Sequence, residues 1–317
     1  MFARARRGVL RYAHCVGATP RGCPLIADCG MMSEKTKTFA YYPGCSLEST
    51  AREFELSVQA VCRALGIELK EVPDWNCCGA SSGHSVNYEL SLALPGRNLA
   101  IAEQTGMELA VSCPACFLRF KRTDYDLKHD PALKGEIERV IGMPYEGKHA
   151  TRHIMEIIYR EVGLEELKKR VTRPLKDVKV VSYYGCFLVR PPRVTGFGEH
   201  ENPVMMDEMM DAVGAQSCDW SGKIDCCGGS LALTRTDIVL KLVGDLMEEA
   251  KKAGAEAVIC ACPLCQVNLD TRQSSRETLP ILYFSEMIGL SIGLDPMPWF
   301  KKHMVNPVPL LKRKGLI

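Results

Sequence analysis

Short runs rich in β-branched and aromatic residues alternate along this chain with longer stretches whose apolar positions recur every three or four residues. Thr38 to Pro43 (TFAYYP) is a predicted strand that runs into Gly44-Cys45. Glu48 to Leu65 then has helical spacing through Phe54, Val58, Val61, Cys62 and Leu65, stopped by Gly66. Ile67 to Val72 is a second predicted strand, followed by Cys77-Cys78-Gly79. Tyr88 to Gln104 reads as a helix that Pro95 should kink or restart. Glu108 to Ser112 is a third strand, and it leads into Cys113-Pro114-Ala115-Cys116 and another helix.

The same order then returns. Val178 to Tyr184 ends in Gly185-Cys186, a helix is expected near Pro203 to Val213, and Ala215 to Cys218 is a short strand before Cys226-Cys227-Gly228. The helix Asp237 to Lys252 and the strand Glu256 to Ala261 lead into Cys262-Pro263-Leu264-Cys265. Cys77, Cys78, Cys113 and Cys116 map onto Cys226, Cys227, Cys262 and Cys265 at one offset of 149. Cys45 to Cys186 is 141, and the deficit of 8 matches a longer Pro- and Gly-rich loop at Val189 to Asn202. The expected fold is therefore α/β, with two pseudo-symmetric β/α halves, each with a small parallel sheet, and the cysteine sites at their interface.

Five segments follow. Residues 1–37 form a leader with five arginines, only two acids (Asp28 and Glu34) and Cys15, Cys23 and Cys29; it reads as a disordered tail or a misplaced start, although its composition also suits a transit peptide. Residues 38–130 are the first half, and 131–177 a charged helical connector expected on the outside. Residues 178–276 are the second half, and 277–317 a last strand, an apolar helix and a tail.

The composition narrows the class. Forty Lys and Arg against 38 Asp and Glu leave a net charge of +2, which gives no reason to expect a nucleic-acid partner. The least polar long stretch, Thr278 to Leu294, has 17 residues interrupted by Glu286. That is short of the ~20 that span a bilayer, so no transmembrane segment is expected. No apolar run follows the Arg-rich start, so a cytoplasmic location is expected, where thiols stay reduced.

Against that background, sixteen cysteines call for a metal or redox role. Each half reads C, then 31 or 39 residues, CC, 34 residues, and CPxC. All three sites lie just after strands, and parallel strands present their carboxyl ends on one edge, so the five thiols of a half should converge. A vicinal pair fits disulfide geometry badly. Five cysteines overfill a tetrahedral zinc site, and they also exceed the four of a cubane iron–sulfur cluster, which suggests an irregular cluster. Gly44, Gly79, Gly185, Gly228 and Gly229 would let backbone approach it, and Pro114 and Pro263 would open helices whose positive ends face it.

Other residues have plainer readings. Cys62, Cys260 and Cys218 are expected in the core. His84, six residues past Cys78, is a weak candidate for proton donation to a leaving thiolate, with a surface role more expected. Arg190, Arg193 and Arg235 could bind sulfonate or phosphate groups, but a solvated face explains them as well.

The doubled pattern YYPGC, CCG and CPAC, then YYGC, CCGG and CPLC, resembles the cysteine-rich CCG domains of the heterodisulfide reductase B subunit. The resemblance runs from about Thr38 to Leu294. It implies one noncubane 4Fe-4S cluster on Cys45, Cys77, Cys78, Cys113 and Cys116, and another on Cys186, Cys226, Cys227, Cys262 and Cys265. It further implies reductive cleavage of a disulfide between the two clusters. With no dinucleotide signature in the chain, electrons should come from two partners of that family's complex, an iron–sulfur relay subunit (the C type) together with a flavin-containing subunit (the A type). The alternative is an iron–sulfur electron-transfer subunit of a lactate, glycolate or succinate oxidoreductase, as in related CCG proteins. A metal storage or scaffold protein is the third possibility.

Overall fold

A computed structural model describes residues 36–80, 83–274 and 277–317. Residues 1–35 of the leader, with Cys15, Cys23 and Cys29, lie outside the described residues. Two four-stranded, all-parallel sheets dominate. The first contains β1 (Lys37–Tyr42), β2 (Ile67–Glu71), β3 (Leu109–Val111) and β4 (Thr151–His153) in the order β2-β1-β3-β4. The second contains β5 (Lys179–Tyr183), β6 (Gln216–Ser217), β7 (Ala257–Cys260) and β8 (Ile281–Tyr283) in the order β6-β5-β7-β8. The two β/α halves expected from the repeat are therefore present, with the same strand order.

The central strands are hydrophobic because both faces are covered. In β1, Phe39 to Tyr42 are all buried; in β7, Ala257 to Cys260 are fully so. Cys62 and Cys260 pack in this core as expected, whereas Cys218, just past β6, is only partly buried.

Three local expectations need correction. The 131–177 stretch is not simply an outer helical connector. After the helix Pro131–Ile141 it supplies β4, which pairs with β3, and then the fully buried Ile154, Met155 and Ile157. A three-residue strand reading Thr-Arg-His carries no hydrophobic signature, so periodicity missed it. The first long helix is also shorter than expected: a turn at Gly44–Glu48 precedes it, and it spans Arg52–Ala64. Pro95 does not break the helix Tyr88–Gln104. The carbonyl that Pro95 leaves without its helix donor is that of Ser91, while the Leu94 carbonyl nearby accepts from the side chains of Asn76 (3.0 Å) and Asn98 (3.3 Å).

The halves share one core, and Lys35–Ile317 is a single unit. Phe54 of the helix Arg52–Ala64 stacks on Tyr283 at 4.1 Å, nearly parallel, and Ser57 and Ser285 hydroxyls meet at 2.6 Å. A Cβ on Gly289 would stand 2.6 Å from the Trp299 ring and 3.3 Å from Val61, so glycine is what lets the helix Phe284–Ser291 close on its neighbours. Among the described residues no helix is long and apolar enough to cross a membrane.

A buried polar network ties the C-terminal tail to this frame. His303 Nε2 meets Glu286 Oε1 at 2.9 Å, and its Nδ1 faces Gln266 Nε2 at 3.1 Å. Asp270 accepts the Met304 and Val305 amides. Burial alone would lower the His303 imidazole, but the Glu286 carboxylate more than offsets that and raises it to about 8. An unfolded histidine titrates near 6.5, so the stabilisation is complete below pH 6.5 and is lost as pH rises through 8, a contribution of about 2 kcal/mol. Urea unfolding at pH 6 and pH 9 should show that loss in the wild type, and His303→Gln should lack it.

Candidate metal-cluster site

The strand order decides where the cysteines meet. β1 and β5 lie between the two strands that follow them in sequence, so the loops after β1, β2 and β3, and after β5, β6 and β7, open on one edge of each sheet. In the first half, Cys45 and Cys77 Sγ atoms are 3.9 Å apart, and Cys78 and Cys116 are 3.1 Å apart. Cys113 is near enough to Cys116 to be lowered by it. In the second half Cys186 and Cys226, Cys227 and Cys265, and Cys265 and Cys262 perturb one another in the same way. The two sets adjoin: Pro114, next to Cys113, lines one hollow with Cys262 and Cys265, and Cys113 and Cys262 shift each other's thiols. All thirteen cysteines among the described residues are free thiols.

Proton sharing splits these thiols. Cys78 is lowered by its contact with Cys116 and then Cys77, and Cys226 is lowered to about 6 by Cys186. Their partners Cys116 and Cys186 are pushed up. Backbone amides add to this: the Gly228 N–H donates to Cys226 Sγ at 3.3 Å. Cys113 and Cys262 cap the helices Pro114–His129 and Pro263–Thr271, so the positive helix ends face the sulfurs.

The surroundings are built twice. Tyr42 Oη donates to the Asn76 carbonyl at 2.9 Å, and Tyr183 Oη to the Asp225 carbonyl at 2.6 Å, bracing the residue before each vicinal pair. Gly44 (φ +75°) and Gly185 (φ +69°) sit where a Cβ would stand 3.3 Å from Cys116 Sγ and 3.2 Å from Cys265 Sγ. That is a cradle a methyl group would fill, with thiols on its wall, and it fits a bulky polynuclear group. Among the described residues no three His, Cys, Asp or Glu side chains take up the arrangement of a single-ion site.

A scan against family models matches the cysteine-rich domain called CCG twice, at residues 39–121 and 180–270. The chain is 33% identical to the membrane anchor subunit of the 8-methylmenaquinol:fumarate reductase of Wolinella succinogenes, over 81% of this chain and 93% of that protein. It is 31% identical to the B subunit of the ferredoxin:CoB-CoM heterodisulfide reductase of Methanosarcina mazei, over 80% of this chain and 88% of that protein. This chain belongs to the tandem CCG family of the heterodisulfide reductase B subunit. Among solved structures, a hypothetical protein from Helicobacter pylori shares the fold, with a TM-score of 0.68, 12% identity, and coverage of 86% of this chain and 52% of that one.

Within this CCG chain the other sequence candidates scatter. His84 is exposed and touches Ser85, and the thiols are not among its hydrogen-bond partners. Arg190 pairs with Glu201 and Arg235 with Asp237, both at the surface, and Arg193 is exposed, which is the solvated-face reading. Sequence reasoning missed Arg119. It lies one turn beyond Cys116 on the same helix face, half buried, with no hydrogen bond or ion pair among the described residues. Its signal was available in the repeat, because offset 149 sets it against Asn268, whose Nδ2 donates to the Cys227 carbonyl at 2.5 Å.

The glycine cradle can be tested without assuming what it holds. Gly44→Ala and Gly185→Ala should each lose about half of the bound metal. Gly106→Ala, also at positive φ (+70°) but with nothing within 4 Å of the new Cβ, should keep all of it and lose only about 1 kcal/mol of stability. Metal analysis with chemical unfolding reads both outcomes.

Proposed function

We propose that this protein is the disulfide-cleaving subunit of a heterodisulfide reductase-like oxidoreductase complex. Cys45, Cys77, Cys78, Cys113 and Cys116 hold one noncubane 4Fe-4S cluster in this reading, and Cys186, Cys226, Cys227, Cys262 and Cys265 hold the other. The observation that carries it is one hollow that Pro114, next to Cys113, lines together with Cys186, Cys226, Cys227, Cys262 and Cys265, so that the two groups of five cysteines adjoin. When bound, such clusters supply one electron each. A disulfide R–S–S–R′ then takes up two electrons and two protons and leaves as RSH and R′SH.

The chain's own residues shape access. A groove of about 580 Å³, walled by Leu118, Phe187, Pro191 and Pro192, reaches Cys186. Leu118 and Pro191 also border a smaller hollow of about 230 Å³ that contains His84 and Arg119. An elongated, largely apolar thiol compound suits such a groove. His84 lines the smaller hollow rather than the groove, and its hydrogen-bond partner is Ser85. In this reading electrons come from an iron–sulfur relay subunit, itself supplied by a flavin-containing partner, and the free thiols favour a reducing compartment such as the cytoplasm.

The relative named as part of a fumarate reductase favours a second reading. There the chain is an iron–sulfur electron-transfer subunit of a lactate, glycolate or succinate oxidoreductase, and no disulfide is cleaved.

Anaerobically isolated protein should carry about eight irons per chain, as two clusters of four, with matching acid-labile sulfide. The reduced protein should be reoxidised by a disulfide. Because cleavage needs both clusters, Cys78→Ala and Cys227→Ala should each lose far more than half of the iron-normalised disulfide turnover. A variant that keeps nearly the wild-type rate on one intact half would replace disulfide cleavage by simple relay.

A further inference from the structure

The two cysteine sites are copies in topology and opposites in charge. The offset of 149 that superimposes the vicinal and CPxC cysteines pairs Arg119 with Asn268 and Asn76 with Asp225. Arg119 is half buried, without an ion-pair partner among the described residues, and lies one helical turn past Cys116, whose Sγ is 3.1 Å from that of Cys78. Asn268 is neutral and spends its amide on the Cys227 carbonyl. Before the vicinal pairs the asymmetry has the same sense. Asn76 uses its side chain on the Cys77 and Leu94 carbonyls, whereas Asp225 places a carboxylate next to Cys226.

The helices extend the contrast. The six residues after Cys116 include Arg119, Lys121 and Arg122, while the six after Cys265 include only the acid Asp270. Other charges nearby cancel within each half. Arg122 is paired with Asp126, Arg97 with Asp74, and Lys223 with Asp207. What distinguishes the two sites most closely is the half-buried Arg119, one helical turn past Cys116 and without an ion pair among the described residues, against the carboxylate of Asp225 next to Cys226.

We infer that the halves are electrically inequivalent, with Arg119 and Asp225 setting the first site at a higher reduction potential than the second, so that electrons pass from the second half to the first. This rests on the function proposed above. One-electron reduction adds one negative charge to an already anionic thiolate–iron group. A cation within reach stabilises that added charge and a carboxylate opposes it, both more strongly in a partly desolvated site than in water. The two sites adjoin where Pro114, next to Cys113, lines one hollow with Cys262 and Cys265, which keeps the electron's path short. The direction follows from side chains outside both sets of five cysteines.

The test uses the full-length protein with its clusters in place. It is titrated anaerobically with dithionite and ferricyanide, with the paramagnetic signals followed and assigned to each half from Cys77→Ala and Cys226→Ala proteins. The first-half midpoint should lie above the second. Arg119→Gln should lower the first midpoint alone, by at least a tenfold change in the one-electron equilibrium, about 59 mV. Arg119→Lys should restore it. Asp225→Asn, at an exposed side chain, should raise the second midpoint alone and carries the test if Arg119→Gln loses iron. Equal midpoints in the loaded wild type, or iron-replete variants with unmoved midpoints, overturn this inference and leave the disulfide reading standing. Absence of acid-labile sulfide overturns the reading itself, and the inference with it.

Discussion

The position of the first strand in each half is the constraint on which the site depends. Because β1 runs between β2 and β3, and β5 between β6 and β7, three separate loops in each half open on the same edge of the sheet. A simple sequential order would have spread those loops along the edge, and the vicinal pair could not face both the single cysteine and the CPxC turn. Tyr42 and Tyr183 turn that topology into fixed distances. Each reaches from the central strand to the carbonyl before the vicinal pair, so neighbouring loops are held at one hydrogen bond's length.

Contact between the halves is a second layer built on the first. The stacked Phe54 and Tyr283 rings and the Ser57–Ser285 bond hold the helix of one half against the C-terminal elements that follow the other. On the cysteine side the same docking brings Cys113 to Cys262. Apolar packing is non-directional and sets how closely the halves approach, whereas the thiol contact reports where that approach ends.

Much of this was legible in the residues. The constant spacing of CC and CPxC singled out eight cysteines, with Cys45 and Cys186 added by the Gly-Cys after a strand, and the alternation of strand and helix put them at strand ends, because burial on both faces leaves a strong apolar signature in parallel strands such as β1 and β7. What stayed hidden lacked such a signature. β4 is three polar-looking residues whose strand character comes wholly from pairing with β3. Pro95 stands inside a continuous helix, which no local pattern encodes. The arginines chosen by closeness in sequence, Arg190 and Arg235, were claimed by acids, while Arg119 stayed unpaired because its neighbours on the helix face are a cysteine turn and Arg122. Comparing the halves position by position, rather than reading along the chain, would have found it.

The interlocking of the repeat bears on how the protein is made. The partners of Phe54 and Val61, Tyr283 and Gly289, are synthesised long after them, beyond the whole of the second sheet's first three strands. While the chain is still emerging from the ribosome, the first sheet can pair its strands, yet one flank of its core faces water until the helix Phe284–Ser291 arrives. That helix therefore completes the first half's core as much as it extends the second.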